Sequence, residues 1–160
     1  MTVTARLLID YGSFTVSIGE SNSGDPYDFV TGDEISARGH LIAWRAGTLT
    51  VATAQHFGEL IVEVTVSEEA PRAAELGEDD ELDEITIKPR GREVVVAGFA
   101  GDTSEICDPL PESPSGFYRA RMIASGRVMD AEEPNERYHL HLWPCEPAHP
   151  RVTLQVQHRD

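Results

Sequence analysis

Glu59-Leu60-Ile61-Val62-Glu63-Val64-Thr65-Val66 is the stretch on which the fold turns. In an extended chain, successive side chains point to opposite faces, so Leu60, Val62, Val64 and Val66 share one side. Glu59, Glu63 and Thr65 share the other with Ile61. An apolar face backed by a mostly polar one is the mark of a sheet with one solvated side. The same alternation returns on either side of this stretch. After Tyr11-Gly12, Phe14, Val16 and Ile18 alternate with Ser13, Thr15 and Ser17; later, Tyr118, Ala120, Met122 and Ala124 alternate with Arg119 and Arg121. Leu41 to Trp44 and Leu49 to Ala52 flank Arg45-Ala46-Gly47-Thr48 and read as a hairpin. Leu7-Leu8-Ile9, Ile85-Thr86-Ile87, Val94-Val95-Val96, Tyr138 to Trp143 and Val152 to Val156 supply further strands, with Lys88-Pro89-Arg90-Gly91 a turn. About ten short strands separated by turn signals predict an all-β fold, an antiparallel β-sandwich first and a closed barrel second. Helix is limited to one or two short pieces. One is Thr31 to Arg38, capped by Thr31 with Glu34 three positions on and weakened by Gly32; the other is Ala70 to Leu76.

With 160 residues, 40% of them hydrophobic, the chain reads as a single domain over 1–160. A chain of this length buries about two-thirds of the surface its unfolded form exposes, so it needs neither metal nor disulfide to fold. Two longer loops interrupt the strands. One spans about 67–84; the other spans about 101–115 and holds Asp108-Pro109, Leu110-Pro111 and Ser113-Pro114, which cannot donate into a ladder. The opening residues lack a charged segment followed by an apolar one, and no apolar run approaches the ~20 residues of a membrane span, so a cytoplasmic location is expected. Cys107 and Cys145 fit no metal or disulfide framework and read as free thiols, with one disulfide between them the alternative that a cytosolic location argues against.

The net charge is −15. Nucleic acid is a poor partner for such a chain, because phosphate binding is driven by lysine and arginine. Anionic membrane surfaces are disfavoured for the same reason. The charge is concentrated: seven of the ten residues from Glu75 to Glu84 are acidic. Carboxylates at a loop tip accelerate encounter with a basic protein by long-range attraction. The candidate partner-binding residues are therefore Glu78, Asp79, Asp80, Glu81, Asp83 and Glu84, taken as lying on one projecting loop. On that reading, reversing Asp79, Asp80 and Asp83 to lysine leaves the fold intact. The alternative is a β-sandwich module that binds calcium or another ligand, although Glu78-Asp79-Asp80-Glu81 lacks the alternating donors and glycine of an EF-hand loop.

Catalytic patterns find little support, and the chain reads as a binding protein with no cofactor. His139 and His141 project from one strand face ahead of Glu146, which partly resembles the first metal-binding motif of cupins. Glu133 stands in that motif's glycine position, however, no glycine follows Glu146 at the required distance, and only 14 residues remain for a second motif. Ser21 and Ser23 lack the spacing of a nucleophile elbow. Glu105 and Asp108 beside Cys107 suppress its thiolate, and Gly98-Phe99-Ala100-Gly101 lacks the lysine and hydroxyl of a P-loop. Arg119 and Arg121 are expected to pair with carboxylates of a neighbouring strand as a weak surface pair. Trp44 and Trp143 read as packing residues.

The order of segments resembles the ComJ family of bacterial nuclease inhibitors. The residues that carry the resemblance are Tyr11 to Val16, Asp33-Glu34 to Arg38-Gly39, the pair Gly47 to Val51 and Phe57 to Val64, and the closing strands Gly116 to Arg121 and Tyr138 to Pro144. The chain departs from the family in its acidic insert, its proline-rich loop and the tail from Cys145 onward. The resemblance implies an inhibitor or immunity-type function against a nuclease or toxin, and it assigns no contact residue.

Overall fold

The alternating stretches form strands in two facing sheets. The computed structural model describes residues 1–21, 28–98, 104–128, 135–147 and 149–156. Its elements are β1 (Thr2–Ile9), β2 (Ser13–Glu20), α1 (Gly32–Ala37), β3 (Ile42–Arg45), β4 (Thr48–Ala52), β5 (Gly58–Val66), β6 (Glu81–Ile87), β7 (Arg90–Gly98), β8 (Ser104–Ile106), β9 (Phe117–Ser125), β10 (Arg137–Cys145) and β11 (Val152–Leu154). The first sheet has the order β1-β5-β10-β9-β6-β11, and the second β3-β4-β2-β7-β8. This is an all-β sandwich and not a closed barrel. Its core lies between the sheets, where Phe14, Val16 and Ile18 of β2 meet Leu60, Val62 and Val64 of β5 and Ala120 and Met122 of β9. Each such aliphatic side chain contributes about 1.5–3 kcal/mol by leaving water.

Five points refine or correct the sequence reading. The sandwich is not wholly antiparallel, because β10 pairs with β5 in parallel, Tyr138 opposite Val62. Ala70 to Leu76 is irregular; so short a piece does not nucleate alone, and Pro71 stands at its start. The proline-rich stretch contains β8, where Ser104 to Ile106, ahead of the prolines, pairs with Val95 to Ala97 of β7. The final strand stops at Leu154, because Gln155 takes φ 59°. Lastly, β6 starts at Glu81, four residues before the Ile85 read as its beginning. The helix forms as expected, with the Glu34 amide donating to the Thr31 hydroxyl. Asn22 to Pro26, Phe99 to Gly101 and Glu133 lie outside the described residues.

The register fixes which loops share an end. Ile9 pairs with Gly58, Arg137 with Ile61 and with Ser125, and Glu81 with Ala124. In the second sheet, Ser13 pairs with Ala52, and Ile42 with Val51. The β1–β2 turn, the β4–β5 loop, the start of β6 and the segment joining α1 to β3 therefore lie along one rim of the sandwich. The opposite rim holds Ile87, Phe117 and Cys145.

Candidate protein-binding surface

Residues 67–80 carry the chain from the far end of β5 to the near end of β6, across the outer face of the first sheet. The segment is tied down at three places. The Ser67 amide donates to the Leu142 carbonyl at 3.0 Å, and the Ser67 hydroxyl meets His141 Nε2 at 2.8 Å. Midway, Arg121 Nη1 donates to the Arg72 carbonyl at 3.0 Å. At the end, a turn closes between Gly77 and Asp80: the Asp80 amide donates to the Gly77 carbonyl, and Asp80 Oδ2 accepts from the Gly77 amide at 2.8 Å. Gln155, just past β11, donates its Nε2 to the carbonyls of Asp80 and Gly77 at 2.7 and 3.1 Å. Five carboxylates stand exposed on this segment: Glu68, Glu69, Glu75, Glu78 and Asp79.

The six candidate residues separate at this point. Glu78 and Asp79 project into solvent, and Asp80 is half-buried as the lock of its turn. Glu81, Asp83 and Glu84 are strand residues and do not project, which corrects their placement on one loop. Glu81 and Asp83 share the inward side of β6 with Ile85 and Ile87 and are buried. Asp83 Oδ2 accepts from the amides of Leu41 and Ile42 at 2.9 and 3.1 Å and from Arg151 at 2.7 Å. Its Oδ1 accepts from Thr153 at 3.1 Å. This one carboxylate thus joins the first sheet to the start of β3 in the second. Glu81 accepts from Arg127 at 2.9 Å, with both side chains at most 3% exposed. Glu84 faces outward and accepts from Arg119 and Arg121, each at 2.7 Å. Burial opposes its charge, but those two guanidinium hydrogen bonds prevail and hold its carboxyl below the ordinary value. Arg119 is only 5% exposed, so the expected weak surface pair is a largely buried bridge.

Two residues of this framework escaped the sequence reading. Glu136 receives the amides of Ala54 and Gln55 at 2.6 and 3.1 Å and the Tyr138 hydroxyl at 3.0 Å. Arg127, besides Glu81, reaches toward the Ala52 carbonyl. Arg127 lies in no periodic run, whereas the two-residue period of Tyr138, Leu140 and Leu142, run backward, reaches Glu136. For Glu81 and Asp83 a signal also existed: the two-residue period of Ile85 and Ile87, run backward, places both on the core side.

His139 and His141 do share a face, with rings stacked at 6.1 Å, and Trp143 follows edge-on at 5.5 Å under Arg121. Trp143 points outward yet is buried, because the crossing segment and Arg121 cover it. His139 Nε2 is engaged by Thr65 and His141 Nε2 by Ser67. Burial, then the neighbouring His139 and Arg121, push the His141 pKa down. Among the described residues no group of three or more His, Cys, Asp or Glu side chains is placed to hold a metal ion. Several oxygens that a calcium site at 78–84 would use are already taken by arginines and amides. Cys107 is buried and Cys145 half-buried, both as free thiols.

No protein-family model matches the chain, and no curated protein matches its sequence. Among solved structures, the crystal structure of ComJ from Bacillus subtilis, inhibitor of the DNA-degrading activity of NucA, superposes with a TM-score of 0.53. Identity is 14%, and the match covers 89% of this chain and 96% of that one. This chain has the ComJ fold. The likeness extends across nearly all of both proteins, so the sandwich itself is the shared feature. It meets the expectation of fold raised by the strand order.

Proposed function

We propose that this chain is an inhibitory binding protein whose partner is a cationic nuclease. The observation that carries the reading is the ComJ fold over 89% of the chain, since ComJ is an inhibitor of a nuclease's DNA-degrading activity. The charge distribution supports it. Arg119, Arg121, Arg127 and Arg151 are engaged with Glu84, Glu81 and Asp83, so along the crossing segment Glu68, Glu69, Glu75, Glu78 and Asp79 outweigh the exposed Arg72 in the outward field. Such a field raises the association rate with a basic surface and weakens with salt.

The test is capture of the partner from the native cell at low salt, followed by a plasmid-degradation assay with the captured nuclease. Addition of the chain should stop cleavage at a one-to-one ratio. Asp79→Asn with Glu78→Gln should slow association several-fold at low salt while leaving the melting temperature unchanged. Failure of any nuclease to bind, or undiminished cleavage at saturating chain, would sink the reading.

A further inference from the structure

The same rim that carries the Gly77–Asp80 turn also carries two large aromatic side chains in water. Tyr11, in the β1–β2 turn, is 63% exposed, and Phe57, in the β4–β5 loop, is 66% exposed. Their rings lie 6.4 Å apart between centroids, and His56 tilts against Phe57 at the same distance. Leu8, 55% exposed, lies opposite Glu59 on the adjoining margin. Among the described residues most large apolar side chains are buried, and Tyr11 and Phe57 are exposed aromatics that stand together at one end of the sandwich.

The main chain beneath the rings is held rigidly. The Gly12 amide donates to the His56 carbonyl at 3.1 Å, and the Thr53 amide to the Gly12 carbonyl at 2.9 Å. Glu136 grips the amides of Ala54 and Gln55, and Gln55 Nε2 donates to the Phe57 carbonyl at 3.1 Å. Tyr11 sits at φ 57°, a left-handed conformation that costs a bulky residue and suits glycine or asparagine better. Here the chain keeps a largely exposed tyrosine in a strained position. Rigid aromatics that lose little entropy on docking are the usual anchors of protein interfaces.

Exposed carboxylates stand on both sides of these rings. Asp33 and Glu34 open α1, whose Gly32 packs against the Gly12 carbonyl. Glu78 and Asp79 stand on the same rim at β6, four strand spacings from β1, or about 19 Å. One partner's share of a standard interface is roughly 800 Å², a patch about 30 Å across, so a single docked protein spans both groups.

We infer that the rim bearing Tyr11 and Phe57 is the anchoring part of the interface with a cationic nuclease, the two rings entering the partner while Asp33, Glu34, Glu78 and Asp79 ring them. This rests on the inhibitor reading and adds to it which surface makes contact. A photo-crosslinking phenylalanine analogue, placed singly at positions 11, 57, 88 and 146 of the full chain in its native cell, tests the two separately. Lys88 and Glu146 are exposed at the opposite rim. Crosslinks to one nuclease from positions 11 and 57 but not from 88 and 146 are expected. With that nuclease purified, Tyr11→Ala and Phe57→Ala should each raise the inhibition constant at least about tenfold, chiefly by faster dissociation. Unchanged melting temperatures should accompany both. If the nuclease crosslinks only from 88 or 146, or if both alanine variants inhibit as the wild type does, the anchor is overturned and the inhibitor reading stands. If no nuclease is crosslinked from any position, both are overturned.

Discussion

Asp83 is the residue on which the two sheets depend most directly. It is fully buried and accepts four hydrogen bonds, two from amides of the opposing sheet. Removing one partner of a buried ionic group leaves the rest uncompensated, at about 3–5 kcal/mol. Arg151 is 31% exposed and regains water, so Asp83→Ala should fall at the lower end, about 3 kcal/mol. Urea denaturation measures it; a midpoint equal to wild type would refute the role. Asp79→Lys, on the open turn, should leave that midpoint in place, while Asp83→Lys should abolish folding. The charge run Glu75 to Glu84 was plain in the sequence, but its division into solvated and buried halves was not. Four acidic residues in a row read as a loop and mask the strand period that places Glu81 and Asp83 inward, and the arginines that pair with these two stand 46 and 68 residues away.

Among the elements, the β3–β4 hairpin was the most legible, because its turn is written locally. Ala46 and Gly47 both take left-handed angles, φ 52° and 84°, as a two-residue hairpin loop requires. Alanine is strained there and asparagine is not, so Ala46→Asn should stabilise the protein by about 0.5–1 kcal/mol. Thermal denaturation should show it as a rise of a few degrees; an unchanged or lower melting temperature would count against the turn geometry. Helix α1 was legible through its cap, yet Gly32 was read only as a weakness. A Cβ at Gly32 would stand 2.5 Å from the Gly12 carbonyl oxygen, so the glycine lets the helix pack against the β1–β2 turn. That contact joins residues from different elements, and no local pattern contains it.

For the whole molecule, acid is the revealing variable. The His40 and His141 pKa values are lowered, in each case first by burial, so below about 6.5 the unfolded chain binds more protons at these sites and stability falls with pH. Glu84 is also lowered; its contribution is complete above about 4.5 and disappears as pH drops through its folded value. Relief of self-repulsion at −15 acts in the opposite sense. The difference between wild type and His141→Gln therefore isolates the histidine part. Wild type should lose more stability than the variant between pH 7 and 5, and parallel curves would refute it. Sheet membership was the least legible property at this scale, since alternation shows that a strand has a buried face and does not show which strand lies beside it. The pairing of β5 with β10 is the clearest instance. Strand β10, which ends at residue 145 of 160, inserts between β5 and β9 at the centre of the first sheet. During synthesis, β1 and β5 must wait beside an unfilled gap while some seventy further residues emerge from the ribosome. Folding dominated by such distant pairings is slow, on the order of milliseconds to seconds. A nascent chain therefore has no continuous first sheet until β10 has left the ribosome, and any chain cut short before Arg137 lacks the strand that joins β5 to β9.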